Sequence, residues 1–114
     1  MEFRVGVKES FSAAHAIPGH SKCGKVHGHN FEVSVEVSGE LRNGMVVDFF
    51  ELKKKLREVL EKLDHSLLNE TIDNPTSENI AIFVFSELRG KGLNVVRVRV
   101  AESFDKWAEI IADR

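Results

Sequence analysis

The chain has 114 residues, a formal net charge of −2 and a pI near 6.2. This length is enough for one domain, residues 1–114, and not for two. Because the charges are mixed without a basic block and no stretch is apolar enough for a membrane helix, we expect neither a nucleic-acid partner nor a membrane. The chain start lacks a signal peptide's apolar core, and one cysteine, Cys23, excludes an internal disulfide. A cytoplasmic protein is therefore expected.

Two strands are predicted in the first part of the chain. Apolar and polar residues alternate over residues 2–11, which is typical of a half-buried strand. An irregular stretch follows over residues 12–28. A second strand has Phe31 and the valines at alternate positions after it on one face, and it ends near Gly39.

Two helices are predicted next. The first begins near Asp48, which has capping-box spacing to Glu51. Residues 64–75 are predicted as a loop. The second helix begins at Thr76 or Ser77, and glycines end it near position 90.

Two further strands are predicted at residues 93–102 and 107–112, separated by a turn. The resulting order is β-β-α-α-β-β. Hairpin strands with consecutive helices between them indicate an α+β fold, in which a four-stranded antiparallel sheet carries two helices on one face.

Three histidines are predicted to converge at one end of this sheet. His27 and His29 are two residues apart, so they lie on the same face of the second strand as Phe31. His15 has the parity of the apolar residues in the first strand and joins them if that strand continues to it. Three neutral imidazoles with one open position are a common catalytic zinc site. The alternative is a pair of partly exposed strand histidines without a metal.

Cys23 lies in the irregular stretch, four residues before His27 and between two lysines. Positive neighbours favour the thiolate, which is the reactive form of cysteine. Cys23 could instead be a small buried apolar residue, or a fourth ligand that closes a structural Cys-His-His-His site. His20 shares no strand parity with the other histidines and is predicted to be a surface loop residue.

Acidic and hydroxyl side chains supply further candidates. Asp64 could orient His65, although His65 could also cap the preceding helix. Glu102 ends an apolar strand face, so it forms a salt bridge to an arginine or lysine, is simply exposed at the fraying strand end, or accepts N–H donors from a heterocycle. Thr76 and Ser77 could offer hydroxyl and backbone N–H groups to a polar ring, or serve only as helix caps.

Together these segments resemble the 6-pyruvoyl-tetrahydropterin synthase family, and the resemblance covers nearly the whole chain. The most specific segment runs from Cys23 to Asn30 with the pattern Cys-x-x-x-His-Gly-His. The other matching segments, in chain order, are Phe11–His15, Val47–Phe49, Leu63–His65, Asn74–Asn79 and Ala101-Glu102.

The resemblance implies the family's tunnelling fold, in which three subunits join their sheets into a barrel and two trimers can stack. A homotrimer or homohexamer with active sites between subunits is therefore expected. The resemblance also implies that His15, His27 and His29 bind Zn²⁺ and that Cys23 accepts a proton. Asp64 and His65 would relay protons from a neighbouring chain. Glu102 would anchor the pterin and could join the relay, with Thr76 and Ser77 holding the ring.

The interval between Cys23 and His27 resembles the 6-carboxy-tetrahydropterin synthase branch, which feeds 7-deazapurine synthesis. The implied reaction converts 7,8-dihydroneopterin triphosphate to 6-carboxy-5,6,7,8-tetrahydropterin, with release of acetaldehyde and triphosphate. Three alternatives stay open: the pyruvoyl-forming lyase of the same family, a non-catalytic zinc-stabilised assembly module, and a zinc hydrolase. A hydrolase would need a carboxylate base near the metal, where the local sequence offers only Glu9 or Glu32.

Overall fold

A computed structural model describes residues 1–112 of the chain, so the last two residues of the predicted domain lie outside the described part. Four antiparallel strands form one sheet in the order β1-β2-β3-β4, and both helices lie between β2 and β3 in the sequence. The predicted α+β architecture is confirmed. The elements are β1 (Phe3–His15), β2 (His27–Gly39), α1 (Phe49–Leu60), α2 (Ser77–Gly90), β3 (Val95–Ser103) and β4 (Lys106–Ile111).

One face of the sheet packs against both helices and forms the core. Phe11 on β1 and Phe31 on β2 stack at 4.9 Å between ring centroids. Leucines at helical spacing on α1 and an apolar stripe on α2 cover the strands. The fully buried helix residues are Leu52, Leu56, Val59, Leu60, Ile80, Ala81, Val84 and Leu88.

The opposite face of the sheet is polar and carries a row of charges across all four strands. Arg4 on β1 lies 3.7 Å from Glu36 on β2. Arg97 on β3 contacts Glu36 at 2.7 Å and Glu109 on β4 at 2.6 Å. These two carboxylates raise the pKa of Arg97 above its ordinary value.

Strand β1 is longer than its sequence pattern predicted, because it continues through Ala14 to His15. The outward backbone groups of this extension form hydrogen bonds with the segment after α1. The Ala14 N–H donates to Ser66 O at 3.0 Å, and the His65 N–H donates to Ser12 O at 2.6 Å. The predicted irregular stretch therefore shrinks to residues 16–26.

The helix boundaries agree with the predicted caps. Asp48 caps α1 by accepting the Phe50 N–H at 2.7 Å, one residue earlier than the capping-box pattern indicates. Thr76 caps α2 by accepting the Asn79 N–H at 3.1 Å. The predicted loop 64–75 also contains a short 3₁₀ turn at Leu68–Glu70. No helix within residues 1–112 combines the length and apolar character that a membrane crossing requires.

Candidate metal centre and acid–base site

Three histidine side chains converge where β1 ends and β2 begins. His15 pairs directly with His27 in the antiparallel register, and His29, two residues further along β2, pairs with Ala13. Residues two apart in a strand share a face, so all three imidazoles lie on the core side of the sheet. Their nearest ring nitrogens lie within 4.8 Å of one another, which is close enough to hold one metal ion.

Backbone carbonyls fix the tautomer of two of these rings. His15 Nδ1 donates to Pro75 O at 2.7 Å, and His27 Nδ1 donates to Lys25 O at 2.7 Å. Each ring therefore keeps its Nε2 lone pair for another partner. The His15 ring is 1% exposed, and its Nε2 has no hydrogen-bond partner. A buried, unpaired imidazole nitrogen fits a metal ligand, because it would otherwise be costly to bury.

Burial disfavours the charged form of the third ring. Burial lowers the pKa of His29 below its ordinary value of 6.5, and the neighbouring His15 and His27 lower it further, whereas Glu102 opposes them. A neutral imidazole is the form that binds a metal.

Phe31 forms the floor beneath the three histidines. It is fully buried and meets the rings of His15 and His29 edge to face, at centroid distances of 5.4 and 5.5 Å. The apolar core of the sheet therefore extends as far as the three histidines.

Glu102 reaches the same site from β3. Its Oε2 lies 3.9 Å from His15 Nε2 and 3.7 Å from His29 Nε2, beyond hydrogen-bond distance. Within residues 1–112, Glu102 forms no ion pair with an arginine or a lysine. The salt bridge considered as an alternative in the sequence analysis is therefore absent from the described part of the chain. The two carboxylates considered for a hydrolase are engaged elsewhere: Glu9 lies 3.8 Å from Arg57, and Glu32 lies 3.7 Å from Lys8.

Cys23 lies half-buried in the loop between β1 and β2. It is not part of the histidine group, which is the cluster of potential metal ligands found in residues 1–112. The candidate site therefore consists of three histidines and differs from a Cys-His-His-His site.

Asp64 and His65 follow α1 and form a close pair. His65 Nδ1 lies 3.0 Å from Asp64 Oδ1, and Asp64 Oδ1 also accepts the Ser12 N–H at 2.9 Å. This backbone hydrogen bond, aided by His65, lowers the pKa of Asp64 below its ordinary value. The His65 side chain is 81% exposed and its backbone has a φ of +56°. His65 and His29 line one open pocket of about 510 Å³.

Thr76 and Ser77 stand at the start of α2, next to the carbonyl of Pro75 that binds His15. The Thr76 hydroxyl is engaged as the helix cap. Sequence patterns missed the carbonyl partners of the histidines, because a backbone carbonyl leaves no trace in the residue type. They also missed Asn69, whose amide accepts the Ala16 N–H at 2.9 Å and donates to the Ala16 carbonyl at 2.8 Å.

Comparison with known proteins identifies the family. The family profile described as 6-pyruvoyl tetrahydropterin synthase matches residues 4–113. An Archaeoglobus fulgidus protein, named provisionally as a 6-carboxy-5,6,7,8-tetrahydropterin synthase, is 66% identical over 96% of each chain. A Synechocystis protein named 6-carboxy-5,6,7,8-tetrahydropterin synthase is 39% identical over 92% of this chain and 90% of its own.

Two further relatives carry different names. A Pyrococcus furiosus dihydroneopterin monophosphate aldolase is 43% identical over 78% of this chain and 77% of its own. The structure of Caenorhabditis elegans 6-pyruvoyl tetrahydropterin synthase superposes with a TM-score of 0.88 at 27% identity, covering 99% of this chain and 97% of that one. The resemblance predicted from the sequence motifs is confirmed, and the chain belongs to the 6-pyruvoyl tetrahydropterin synthase family.

Proposed function

We propose that the protein is a zinc-dependent lyase that converts 7,8-dihydroneopterin triphosphate and one water molecule to 6-carboxy-5,6,7,8-tetrahydropterin, acetaldehyde and triphosphate. The observation that carries the proposal is the trio of His15, His27 and His29, with a buried unpaired Nε2 on His15. Relatives that carry the 6-carboxy name over nearly the whole chain support the choice of reaction.

Zn²⁺ would be held by the three imidazoles, two of which have Nε2 lone pairs fixed by carbonyl hydrogen bonds. The bound ion would polarise the side-chain oxygens of the substrate and make the adjacent C–H and O–H groups easier to deprotonate. Three protein ligands are the usual number at a catalytic zinc, because the fourth position is left for substrate.

The acid–base work is assigned to the protein's own side chains. Cys23 would remove a proton from the substrate, and His65 would exchange another on the opposite side. Asp64 is held charged by the Ser12 N–H and would orient His65. Each acid–base group of this kind contributes roughly 10²–10⁴-fold to the rate.

Glu102 would accept the 2-amino and ring N–H donors of the pterin. Its carboxylate is half-buried and has no arginine or lysine partner in the described chain, so it keeps acceptor capacity for a ligand. Thr76 and Ser77 would place polar groups along the ring. Because the Thr76 hydroxyl, N–H and carbonyl are all engaged in hydrogen bonds around the start of α2, this role would fall chiefly to Ser77.

We propose that the protein is a homotrimer or a homohexamer made of two stacked trimers. Two sheet edges favour edge-to-edge pairing of copies: β4, and β1 before the segment covered by residues 64–67. The row of charges on the polar face ends in Arg4 on β1 and in Glu109 on β4. Pairing β1 of one copy with β4 of the next therefore brings opposite charges to the interface. In such a ring, Cys23 of one chain would work with Asp64 and His65 of its neighbour. Light scattering that gives a monomer mass at micromolar concentration would contradict this assembly.

The P. furiosus relative supports a second candidate, an aldolase acting on dihydroneopterin monophosphate. A retro-aldol cleavage of the substrate side chain would release a two-carbon aldehyde that keeps its phosphate. The same metal centre and proton relay would serve this reaction, so the two candidates differ in substrate phosphorylation and in products.

The deciding experiment supplies each substrate separately to the zinc-loaded protein and to protein treated with chelator, followed by mass analysis. The proposed lyase yields acetaldehyde and triphosphate only from the triphosphate and only with metal. A pyruvoyl product without acetaldehyde favours the other lyase branch, and a phosphorylated two-carbon aldehyde favours the aldolase. Turnover of neither substrate would refute both and favour the zinc-stabilised assembly module.

The Cys23→Ala variant tests the proposed base. We expect it to keep bound zinc and native melting behaviour while turnover falls by about 10² or more. Loss of zinc together with turnover would make Cys23 a metal ligand and the site structural. A cytoplasmic location and a role in supplying 7-deazapurine synthesis stay predictions of the same proposal.

A further inference from the structure

The loop that carries Cys23 is held by its own backbone hydrogen bonds, although its sequence has no regular pattern. Its first turn has Pro18 and Gly19 at the centre, and the His20 N–H donates to Ile17 O at 3.2 Å. Gly19 has a φ of +78°, as the third residue of a type II turn requires. The Ile17 N–H then donates to Cys23 O at 2.7 Å, which closes the loop onto the cysteine.

The side chain of His20 holds the second turn. Its Nδ1 accepts the backbone N–H of Lys22 at 3.1 Å and that of Cys23 at 2.9 Å. Since both partners are donors, Nδ1 must carry a lone pair, and the neutral ring carries its proton on Nε2. The imidazole therefore contacts the backbone of Cys23 directly.

The rest of the loop leaves little freedom beside this contact. A Cβ at Gly24 would lie 2.6 Å from the His20 carbonyl oxygen, so the backbone passes itself too closely for a side chain. Before the loop, Asn69 clamps both backbone groups of Ala16. After it, Lys25 O accepts from His27 Nδ1. With both ends anchored, the Cys23 backbone is fixed by Ile17 and by His20.

We propose that His20 is a positioning residue for Cys23, holding the thiol in its half-buried place by accepting two backbone N–H groups. Its catalytic consequence rests on the proposed function, in which Cys23 is the proton acceptor. The positioning itself does not depend on that function. Misplacing a reacting group by about 1 Å can cost roughly 10²-fold in rate.

Three substitutions of His20 distinguish the effect of the hydrogen-bond acceptor from the effect of side-chain size. In His20→Asn, the amide oxygen can occupy the place of Nδ1 and accept the same N–H groups. In His20→Gln, the amide lies about where Nε2 stood and cannot accept them, and His20→Ala removes the acceptor altogether. Because the chain has one cysteine, alkylation by iodoacetamide reports on Cys23 alone.

The experiment measures the alkylation rate, zinc content and melting curve of each zinc-loaded variant. We expect Ala and Gln to raise the alkylation rate about tenfold, since losing two hydrogen bonds lets the loop open, whereas Asn stays near wild type. Zinc content should be unchanged in all three. The proposal is overturned if His20→Ala alkylates at the wild-type rate, or if Asn behaves like Ala.

Two further readouts complete the test. Nitrogen-15 NMR of the wild-type protein should show His20 as the Nε2–H tautomer, and an Nδ1–H tautomer would overturn the proposal. With pterin substrate, Ala and Gln should lower kcat with little change in KM, while Asn restores it. If wild type turns over no pterin but the alkylation pattern holds, the proposed function fails and the positioning role stands.

Discussion

The floor of the metal centre offers a test that separates support of the histidines from general core packing. Phe31 is fully buried, stacks on Phe11, and meets His15 and His29 edge to face. Phe11 is 3% exposed and shares the stacked pair. The variants Phe31→Leu and Phe11→Leu therefore remove the same number of carbons from the same cluster. Of these two phenylalanines, only Phe31 contacts the rings of His15 and His29.

The expected stability losses are similar. Each substitution removes three buried carbons, worth about 0.8 kcal/mol each, and one aromatic stacking contact worth about 0.5–1.5 kcal/mol. We therefore expect each variant to lose about 3 kcal/mol, which corresponds to roughly 10 °C in Tm for a domain of this size. Phe31→Leu should lose somewhat more, because it also gives up the contacts with two imidazoles.

Metal affinity should separate the two variants. Hydrogen-bonded partners of metal ligands typically contribute about 10–100-fold to affinity, and we expect the packing of Phe31 against two rings to reach the lower end of that range, so Phe31→Leu should weaken zinc binding about tenfold. Phe11→Leu should leave it nearly unchanged. Competition with a chromophoric chelator gives both affinities, and thermal unfolding of the metal-free proteins gives the stability cost. Equal affinities for the two variants would refute the idea that Phe31 fixes the histidines.

Three other predictions concern the acid–base site and the cysteine loop. Asp64 stabilises the folded state at pH values above its ordinary pKa of 3.8, and this contribution is lost as the pH falls through its lower folded-state pKa. Asp64→Asn should therefore make the free energy of unfolding depend less on pH below 3.8, and it should lower turnover because His65 loses its partner. An unchanged pH dependence would contradict the pairing. Glu102→Gln should weaken pterin binding, measured by calorimetry, with little change in Tm; an unfolded variant would instead give Glu102 a structural role. Gly24→Ala should speed cysteine alkylation and lower turnover because its Cβ would meet a carbonyl oxygen at 2.6 Å, while Gly90→Ala, with open space around its Cβ, serves as the tolerated control.

Strand parity predicted that His27 and His29 share one face and that His15 joins them if the first strand continues to it. His27 and His29 share the face of Phe31, and the β1–β2 register places His15 opposite His27. The two helices were equally accessible, because their apolar spacing and their caps at Asp48 and Thr76 are local properties.

Contacts made by backbone atoms could not be predicted in the same way. The carbonyls of Pro75 and Lys25 fix the histidine tautomers, but any residue supplies a carbonyl. The role of His20 was missed for a related reason, since its partners are the N–H groups of Lys22 and Cys23 and it shares no strand periodicity. Sequence reasoning about sites finds side chains that share a face more readily than side chains that bind backbone.

The extension of β1 and the placement of the acid–base pair have one physical cause. Residues 12–14 are small and would form a weak strand edge alone, because their outward N–H and C=O groups need partners. The segment after α1 supplies them: Ser12 binds Asp64 through its N–H and His65 through its carbonyl, and Ala14 binds Ser66. The contacts that carry β1 as far as His15 therefore also fix Asp64 and His65 against the end of that strand. The length of β1 and the position of the Asp64–His65 pair therefore depend on the same hydrogen bonds, so a substitution that breaks these bonds should disturb both.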